Sequence, residues 1–176
     1  MDKNGKVGYI DRDNNFITEK NYDVPIKFQD GYGVVYDEQK FGLVNRDGDE
    51  VIPVGYDNLF YIGKDRYGAR NGKVTYLIDS TGKKISTEEY ELLGEEKEGR
   101  IVVKKHGKYG VIDRDGREII PPSYLEIGNF QNGMMIVMDY ENSLYGIINE
   151  KNQYVISPKN LYIKSRNENF FIVGFE

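Results

Sequence analysis

The 176-residue chain contains no cysteine and no tryptophan, and it has a single histidine, His106. Without cysteine, the chain can form neither disulfides nor thiolate metal sites. A single histidine excludes a metal site built from several histidines of one chain. Basic residues are not in excess either, since 24 Lys and Arg stand against 29 Asp and Glu. We therefore expect no metal, no cofactor, and no binding to duplex nucleic acid or to an anionic membrane.

Long apolar runs are also missing from the sequence. No stretch reaches the roughly 18 apolar residues of a membrane-spanning helix. The N-terminal residues MDKNGKVGYIDRD lack the apolar core of a signal peptide. We expect a cytoplasmic protein; the alternative is a secreted or cell-surface protein whose signal peptide has been removed.

A repeat of about 34 residues is present instead. Each copy is anchored on an Asp or Asn that ends a short apolar run, at Asp11, Asn45, Asp79, Asp113 and Asn149. A Gly or Asn follows three residues after every anchor, at Asn14, Gly48, Gly82, Gly116 and Asn152. A tyrosine follows eleven residues after the first four anchors, at Tyr22, Tyr56, Tyr90 and Tyr124. One structural unit is thus copied five times, and the regular spacing of the tyrosines predicts that they belong to the core.

The copies consist of short runs of Ile, Val, Tyr and Phe, separated by Gly or Pro every few residues. This pattern is typical of strands between tight turns and leaves little room for helices. In the fourth copy it predicts strands over 100–104, 109–113 and 117–121, with a short fourth strand in the segment that follows. We therefore predict an all-β domain over residues 1–176, made of five tandem antiparallel β-meander repeats.

Two glycine positions in each copy have a physical explanation. The sequence D-R-D-G at 113–116 predicts a hairpin whose last turn residue has positive φ, which Gly and Asn tolerate best. The glycine three residues before the anchor lies within a strand, where it lets a ring or another backbone approach closely. Tyr76 takes this second position in the third copy, which is therefore the least regular of the five.

One motif combines these features. The fourth copy carries it as GKYGVID (107–113), DG (115–116) and EIIPPSY (118–124), followed by Phe130 and Gly133. The repeats resemble the WG (KWG) repeat family of bacteria over nearly the whole chain. The tryptophan of that family is replaced by Val7, Phe41, Thr75, Tyr109 and Tyr145. The resemblance implies an interaction or binding role and brings no catalytic residue with it.

The two ends of the chain bear on the overall architecture. The chain begins at a second strand of the repeat and ends on a first strand. Pairing of Phe170–Phe175 with Lys6–Asp11 would complete a fifth unit and close a propeller-like ring, which we favour. The alternative is an open β-solenoid or superhelical array. We expect the chain to be a monomer or a homodimer.

Three features suggest chemistry, and each has a simpler explanation. The D-R-D-G-like segments at Asp11, Asn45 and Asp113 are similar to the start of a calcium loop, but the distal Glu is missing, so a turn is favoured. His106 lies at a predicted hairpin tip, where an exposed loop histidine is favoured over a general base. The acidic segment Ser86–Gly99 is either a solvated surface, which we favour, or a docking patch, and it has the composition for a short helix.

The best candidate for a binding surface is a position that recurs in register but changes in chemistry. Tyr36, Arg70, Lys104 and Met138 are spaced by 34 residues and precede the predicted hairpin tips at 37–40, 71–73, 105–108 and 139–143. We predict binding through these tips, by Tyr36, Arg70, Lys104, Lys105, His106 and Tyr140. The expected function is a non-enzymatic scaffold that binds a protein partner. A binder of a glycan or nucleotide is the first alternative, and a hydrolase with an acidic pair is a less favoured one.

Overall fold

The computed structural model describes residues 5–10, 12–17, 22–24, 27–128, 130–167 and 170–174. Within these ranges the chain consists of antiparallel strands, turns and bends, without a helix. The predicted all-β class and the tandem antiparallel repeats are confirmed. Contacts divide the chain into two compact units, Met1–Thr87 and Glu88–Glu176. The assignment of the whole chain to one domain stays a prediction.

The first unit contains two up-and-down sheets. Its four-stranded sheet holds, side by side, β1 (Phe28–Gln29), β2 (Tyr32–Asp37), β3 (Lys40–Asn45) and β4 (Glu50–Tyr56). Its three-stranded sheet holds β5 (Asn58–Gly63), β6 (Arg66–Asn71) and β7 (Val74–Asp79). The bridge between Val7 and Tyr22 precedes them and has the same place in its copy as the pair of Phe41 and Tyr56.

The second unit repeats the same meander. One sheet contains β8 (Leu92–Lys97), β9 (Arg100–Lys105), β10 (Lys108–Asp113) and β11 (Glu118–Tyr124). The next contains β12 (Glu126–Ile127), β13 (Met134–Met138), β14 (Tyr145–Asn149) and β15 (Tyr154–Asn160). The strands predicted in the fourth copy thus correspond to β9, β10 and β11, and the short fourth strand to β12.

The last hairpin joins β16 (Tyr162–Asn167) to β17 (Phe170–Gly174). This hairpin has the same place as β5 with β6, so the last copy supplies the first two strands of a meander. The closing pair that we predict from the sequence includes Asp11 and Phe175, which lie outside the described residues. The closed ring and the open array both stay predictions.

The cores are formed by alternate side chains of the strands. In the first unit one buried cluster consists of Leu43, Ile52, Leu59, Tyr67, Ala69 and Ile78, and another of Tyr22, Val35 and Val44. In the second unit a cluster consists of Val111, Ile120, Tyr124, Phe130, Met135, Val137 and Ile148. Burial of each large apolar side chain contributes about 1.5–3 kcal/mol. The predicted core tyrosines are buried at Tyr22, Tyr90 and Tyr124, and Tyr56 is half-buried.

The turn after each anchor has the conformation that the sequence predicts. The residue three positions after the anchor has positive φ in all five copies: 66° at Asn14, 87° at Gly48, 83° at Gly82, 76° at Gly116 and 59° at Asn152. The side chain of the anchor stabilises the turn by accepting hydrogen bonds from its backbone. Oδ1 of Asp113 accepts hydrogen bonds from the backbone N–H groups of Asp115 and Arg117, both at 2.8 Å.

The same pair of contacts recurs at Asn45, Asp79 and Asn149. Only a short side chain with an acceptor oxygen can make them, which explains why the anchor is Asp or Asn. The predicted turns are therefore confirmed at Asn45 and Asp113. The first anchor, Asp11, lies outside the described residues.

The strand glycines lie where the next strand approaches closely. A Cβ at Gly110 would lie 2.5 Å from the carbonyl oxygen of Ile120, and one at Gly42 or Gly146 would meet a backbone oxygen at 2.7 Å. At the same position in the third copy, the side chain of Tyr76 prevents the next strand from approaching so closely. After β7, the third copy accordingly has isolated bridges, one between Ile78 and Lys84 and one at Tyr90, in place of a fourth strand.

The short helix considered for the acidic segment is wrong. Most of its second half is β8, which pairs with β9, and residues 86–91 before it form bends and a bridge. Pairing with a neighbouring strand overrides local composition here. Leu93 is buried, and the carboxylate of Glu96 meets Nε of Arg114 at 2.8 Å with a side chain only 6% exposed.

Candidate functional site

The predicted binding residues belong to the tips that join the second and third strands of the sheets, at 37–40, 71–73, 105–108 and 139–143. The first two tips belong to the first unit and the other two to the second. At 105–108 the two central residues both have positive φ, 51° at His106 and 75° at Gly107. Glu38 and Gln39 share this conformation, with φ of 48° and 64°. Both are two-residue hairpin turns that match the twist of their strands.

An acidic side chain holds three of these tips in place. Oδ2 of Asp23 accepts a hydrogen bond from the backbone N–H of Glu38 at 3.1 Å. Asp57 accepts one from Gly72 at 2.6 Å, and Glu91 accepts one from Gly107 at 3.0 Å. We call Asp23, Asp57 and Glu91 the tip caps. Each follows directly after a tyrosine of the core position, a signal that is present in the sequence but does not by itself indicate a contact with a tip.

The backbone of each tip cap also holds the tip. The N–H of Asp23 donates to the carbonyl oxygen of Tyr36 at 3.0 Å, and the same bond joins Asp57 to Arg70 and Glu91 to Lys104. The residues predicted from the recurring position are thus the ones whose carbonyl groups the caps engage. Two contacts per tip fix its backbone, whereas its side chains differ from copy to copy.

The charges of the tips are largely paired locally. Hydrogen bonding to the Gly72 N–H, together with the ion pair to Lys40, holds the pKa of Asp57 below its usual value. Lys105 pairs with Glu88, and this hydrogen bond raises the pKa of the lysine and lowers that of the glutamate.

Two further lysines lie against aromatic rings. Nζ of Lys104 lies 5.1 Å from the centre of the Tyr109 ring, and Nζ of Lys108 lies 4.0 Å from that of Tyr140. The second contact brings the tip at 105–108 next to the tip at 139–143. Predicted tips of two separate copies therefore meet within the second unit, and Tyr140 remains 49% exposed there.

The remaining predicted residues lie within their own hairpins. The Tyr36 ring packs on Phe41 of the facing strand, with 4.8 Å between ring centres. Nε of Arg70 donates to the carbonyl oxygen of Gly72 at 2.9 Å, and its side chain is exposed. His106 is exposed at its turn, as expected of a loop histidine. Binding through Tyr36, Arg70, Lys104, Lys105, His106 and Tyr140 stays a prediction.

A metal site or a hydrolase with an acidic pair would depend on acidic side chains. No group of three or more His, Asp or Glu side chains among them could hold a metal ion. Glu88 and Asp57 both have a lowered pKa, as described above. The pKa of Asp79 is lowered too: burial alone would raise it, but hydrogen bonds from Thr81 and Lys83 outweigh burial. A general acid would need the opposite shift.

Comparison with known families agrees with the repeat seen in the sheets. The family of WG-containing repeats matches residues 41–73, 77–109 and 109–141, which is more than half of the chain. The chain belongs to this family. Its WG repeats keep the anchor and the turn, and all but the copy with Tyr76 keep the glycine. Phe41, Thr75 and Tyr109 stand where the tryptophan is expected.

Other comparisons add structural likeness at low identity. No curated protein matches the chain. One similar solved structure is "KlHsv2 with loop 6CD replaced by a Gly-Ser linker", with 12% identity, a TM-score of 0.48, and 78% of this chain and 54% of that chain covered. Another is that of Kluyveromyces lactis Hsv2p, with 12% identity, a TM-score of 0.44, and 86% and 56% covered. The chain thus spans about half the length of either.

Proposed function

We propose that this WG-repeat chain is a non-enzymatic interaction module that binds a protein partner through the tip hairpins. The observation that carries the proposal is the contrast between the backbone and the side chains of the tips. Tip caps fix the backbone at 37–40, 71–73 and 105–108. The side chains that precede these tips are Tyr36, Arg70 and Lys104, which carry an uncharged phenol, a planar guanidinium and an ammonium group.

A fixed backbone lowers the entropic cost of binding, because fewer conformations are lost when the partner docks. Tyrosine and arginine are among the residue types that are enriched at the energetically important positions of protein interfaces. Arg70 and Tyr140 present such side chains to solvent. The tips therefore combine preorganisation with suitable chemistry.

The experiment compares two triple variants of the chain as bait in the source cells. The tip variant replaces three exposed tip side chains by alanine, at Arg70, His106 and Tyr140. The control variant replaces three exposed basic side chains on the turns after the anchors, at Arg46, Arg117 and Lys151. A protein captured by the unmodified chain is then purified, and its affinity for all three chains is measured by calorimetry.

We expect the tip variant to bind at least about tenfold more weakly and the control variant to bind as the unmodified chain does. Equal affinity of all three chains contradicts the use of the tips. Turnover in a substrate screen without a specific partner contradicts the whole proposal.

Cellular location is part of this proposal. Among the described residues, no helix is long and apolar enough to cross a membrane. The expectation of a cytoplasmic module, with a secreted one as the alternative, is tested by fractionating cells that express the full-length gene product.

A further inference from the structure

We propose that the first unit contains a second binding site, for a short neutral saccharide, in a pocket between β4 and the turn after β7. This site goes beyond the proposed protein-binding function. Its lining residues are Val51, Ile52, Pro53, Gly55, Tyr56, Asn71, Thr81 and Gly82. None of the side chains replaced in the tip variant lines it, so the two proposals fail or succeed separately.

The pocket differs from the rest of the surface in its charge. Its volume is about 420 Å³, within the range of small-molecule sites. Every lining residue is uncharged, in a chain of which 30% of residues are charged. A nucleotide or a phosphorylated sugar would find no cationic side chain in this lining to pair with its phosphate.

A comparison between copies shows why the space is open. In the second unit the hydroxyl of Tyr124 donates to Oδ1 of Asn152 at 2.7 Å, so an asparagine of the next turn meets the tyrosine. In the first unit the corresponding residues are Tyr56 and Gly82, and glycine has no side chain to offer. No hydrogen bond of the Tyr56 hydroxyl is found within the described part of the chain.

Gly55 widens the opening. A Cβ at this position would meet nothing closer than the carbonyl oxygen of Pro53, at 3.8 Å. The floor is apolar, because Ile52 lies 3.4 Å from where a Cβ of Gly82 would be. The absence of side chains at Gly55 and Gly82 therefore leaves room against an apolar floor and a half-buried tyrosine.

The polar groups of the lining have hydrogen-bonding capacity left over. Oδ1 of Asn71 accepts from the N–H of Asp57 at 3.4 Å, so its NH₂ group is available to donate. The Thr81 hydroxyl donates to Oδ1 of Asp79 at 2.6 Å and retains lone pairs that can accept. The Tyr56 hydroxyl can do both. A sugar ring presents the complementary set: hydroxyl groups at its edge and C–H groups on its faces.

The test is a titration of the ¹⁵N-labelled chain with maltose, cellobiose, lactose and chitobiose, followed by NMR at the amides of Gly55 and Gly82. Glucose 6-phosphate and AMP serve as charged comparisons. Gly82→Asn is the decisive variant, because Asn occupies the same turn position at Asn14 and Asn152 and will place a side chain against Tyr56. Gly116→Asn is the matched control, with the same exchange at a turn outside the pocket.

We expect at least one neutral disaccharide to shift both amides with a Kd of about 1 mM or tighter. Gly82→Asn should weaken that binding about tenfold or more, Tyr56→Phe should weaken it several-fold, and Gly116→Asn should leave it unchanged. If Gly82→Asn does not fold, Tyr56→Phe provides the comparison.

Three results overturn the proposal. The first is an absence of shifts with all four disaccharides at about 50 mM, far above a useful Kd. The second is unchanged binding in both pocket variants. The third is binding of the phosphorylated compounds alone.

Discussion

The hydroxyl of Tyr124 donates a hydrogen bond to Oδ1 of Asn152 across 2.7 Å and so ties the end of β11 to the turn after β14. Burial raises the pKa of this tyrosine, so the hydroxyl keeps its proton and remains a donor. The two residues come from consecutive copies of the repeat. The bond is therefore a contact between sheets, which the strand pairing within each sheet does not provide.

Tyr124→Phe should lower the free energy of unfolding by about 1–2 kcal/mol, because the acceptor on Asn152 loses its partner. Tyr56→Phe is the matched control, since its hydroxyl makes no such bond within the described residues, and it should change stability by less than about 0.5 kcal/mol. Denaturant unfolding of both variants measures the difference. Equal loss in the two variants would show that the bond contributes nothing.

The anchor side chain should be essential for its turn, yet Asp and Asn should be interchangeable there. Asp113→Ala removes the acceptor of two backbone N–H groups and should cost about 1–2 kcal/mol of unfolding free energy. Asp113→Asn should cost less than half as much, because Asn45 and Asn149 make the same two contacts. Thermal unfolding of both variants tests this, and a more damaging Asn would contradict our account of the turn.

The strand glycines should resist even a methyl group. Gly110→Ala would place a Cβ 2.5 Å from the Ile120 carbonyl oxygen, so β11 must move away. A loss of about 2–3 kcal/mol is expected for such overpacking. Gly94→Ala, in β8 of the same sheet, is the control, because its Cβ would lie 3.4 Å from the nearest atom, the carbonyl oxygen of Val102. If chemical denaturation finds the two variants equally stable, the close approach of β11 is not the reason that residue 110 is glycine.

Tip caps should make stability depend on acidic pH. Hydrogen bonding holds the pKa of Asp57 below its usual value in the folded chain. The carboxylate therefore contributes stability above its unfolded pKa of about 3.9, and the contribution is lost as pH falls through the lower folded value. We expect the melting temperature of Asp57→Asn to fall less than that of the unmodified chain between about pH 5 and pH 2. If the melting temperatures of the two proteins fall equally over this range, Asp57 does not contribute to the pH dependence of stability.

Much of the fold could be predicted because the repeat shows the same constraint five times. The position three residues after the anchor is always Gly or Asn, at Gly48, Gly82, Gly116, Asn14 and Asn152. A left-handed backbone conformation at this position explains the restriction to these two residue types. The strand glycines were equally informative. Tyr76 even marked the copy whose fourth strand is lost, although the sequence did not show that the strand itself would be the part affected.

Other features depended on partners that are distant in sequence. Glu96 lies in an acidic run of the sequence. Its strand conformation follows from pairing with β9 and from the ion pair with Arg114, and neither partner lies within that run. The pocket beside Tyr56 depends on a missing side chain at Gly82, 26 positions away. An absence in one copy becomes visible only when its sheet is compared with another.

The tip caps also define where one copy can be cut from the next. Asp57 lies after β4, but the tip that it holds, at 71–73, belongs to the following sheet. A segment excised between anchors, from Asn45 to Asp79, keeps this cap together with its tip but divides β3 from β4. A cassette running from Asp57 to Tyr90 keeps cap, hairpins and turn together. Grafts and duplications of this scaffold should therefore begin at the acidic residue after the core tyrosine.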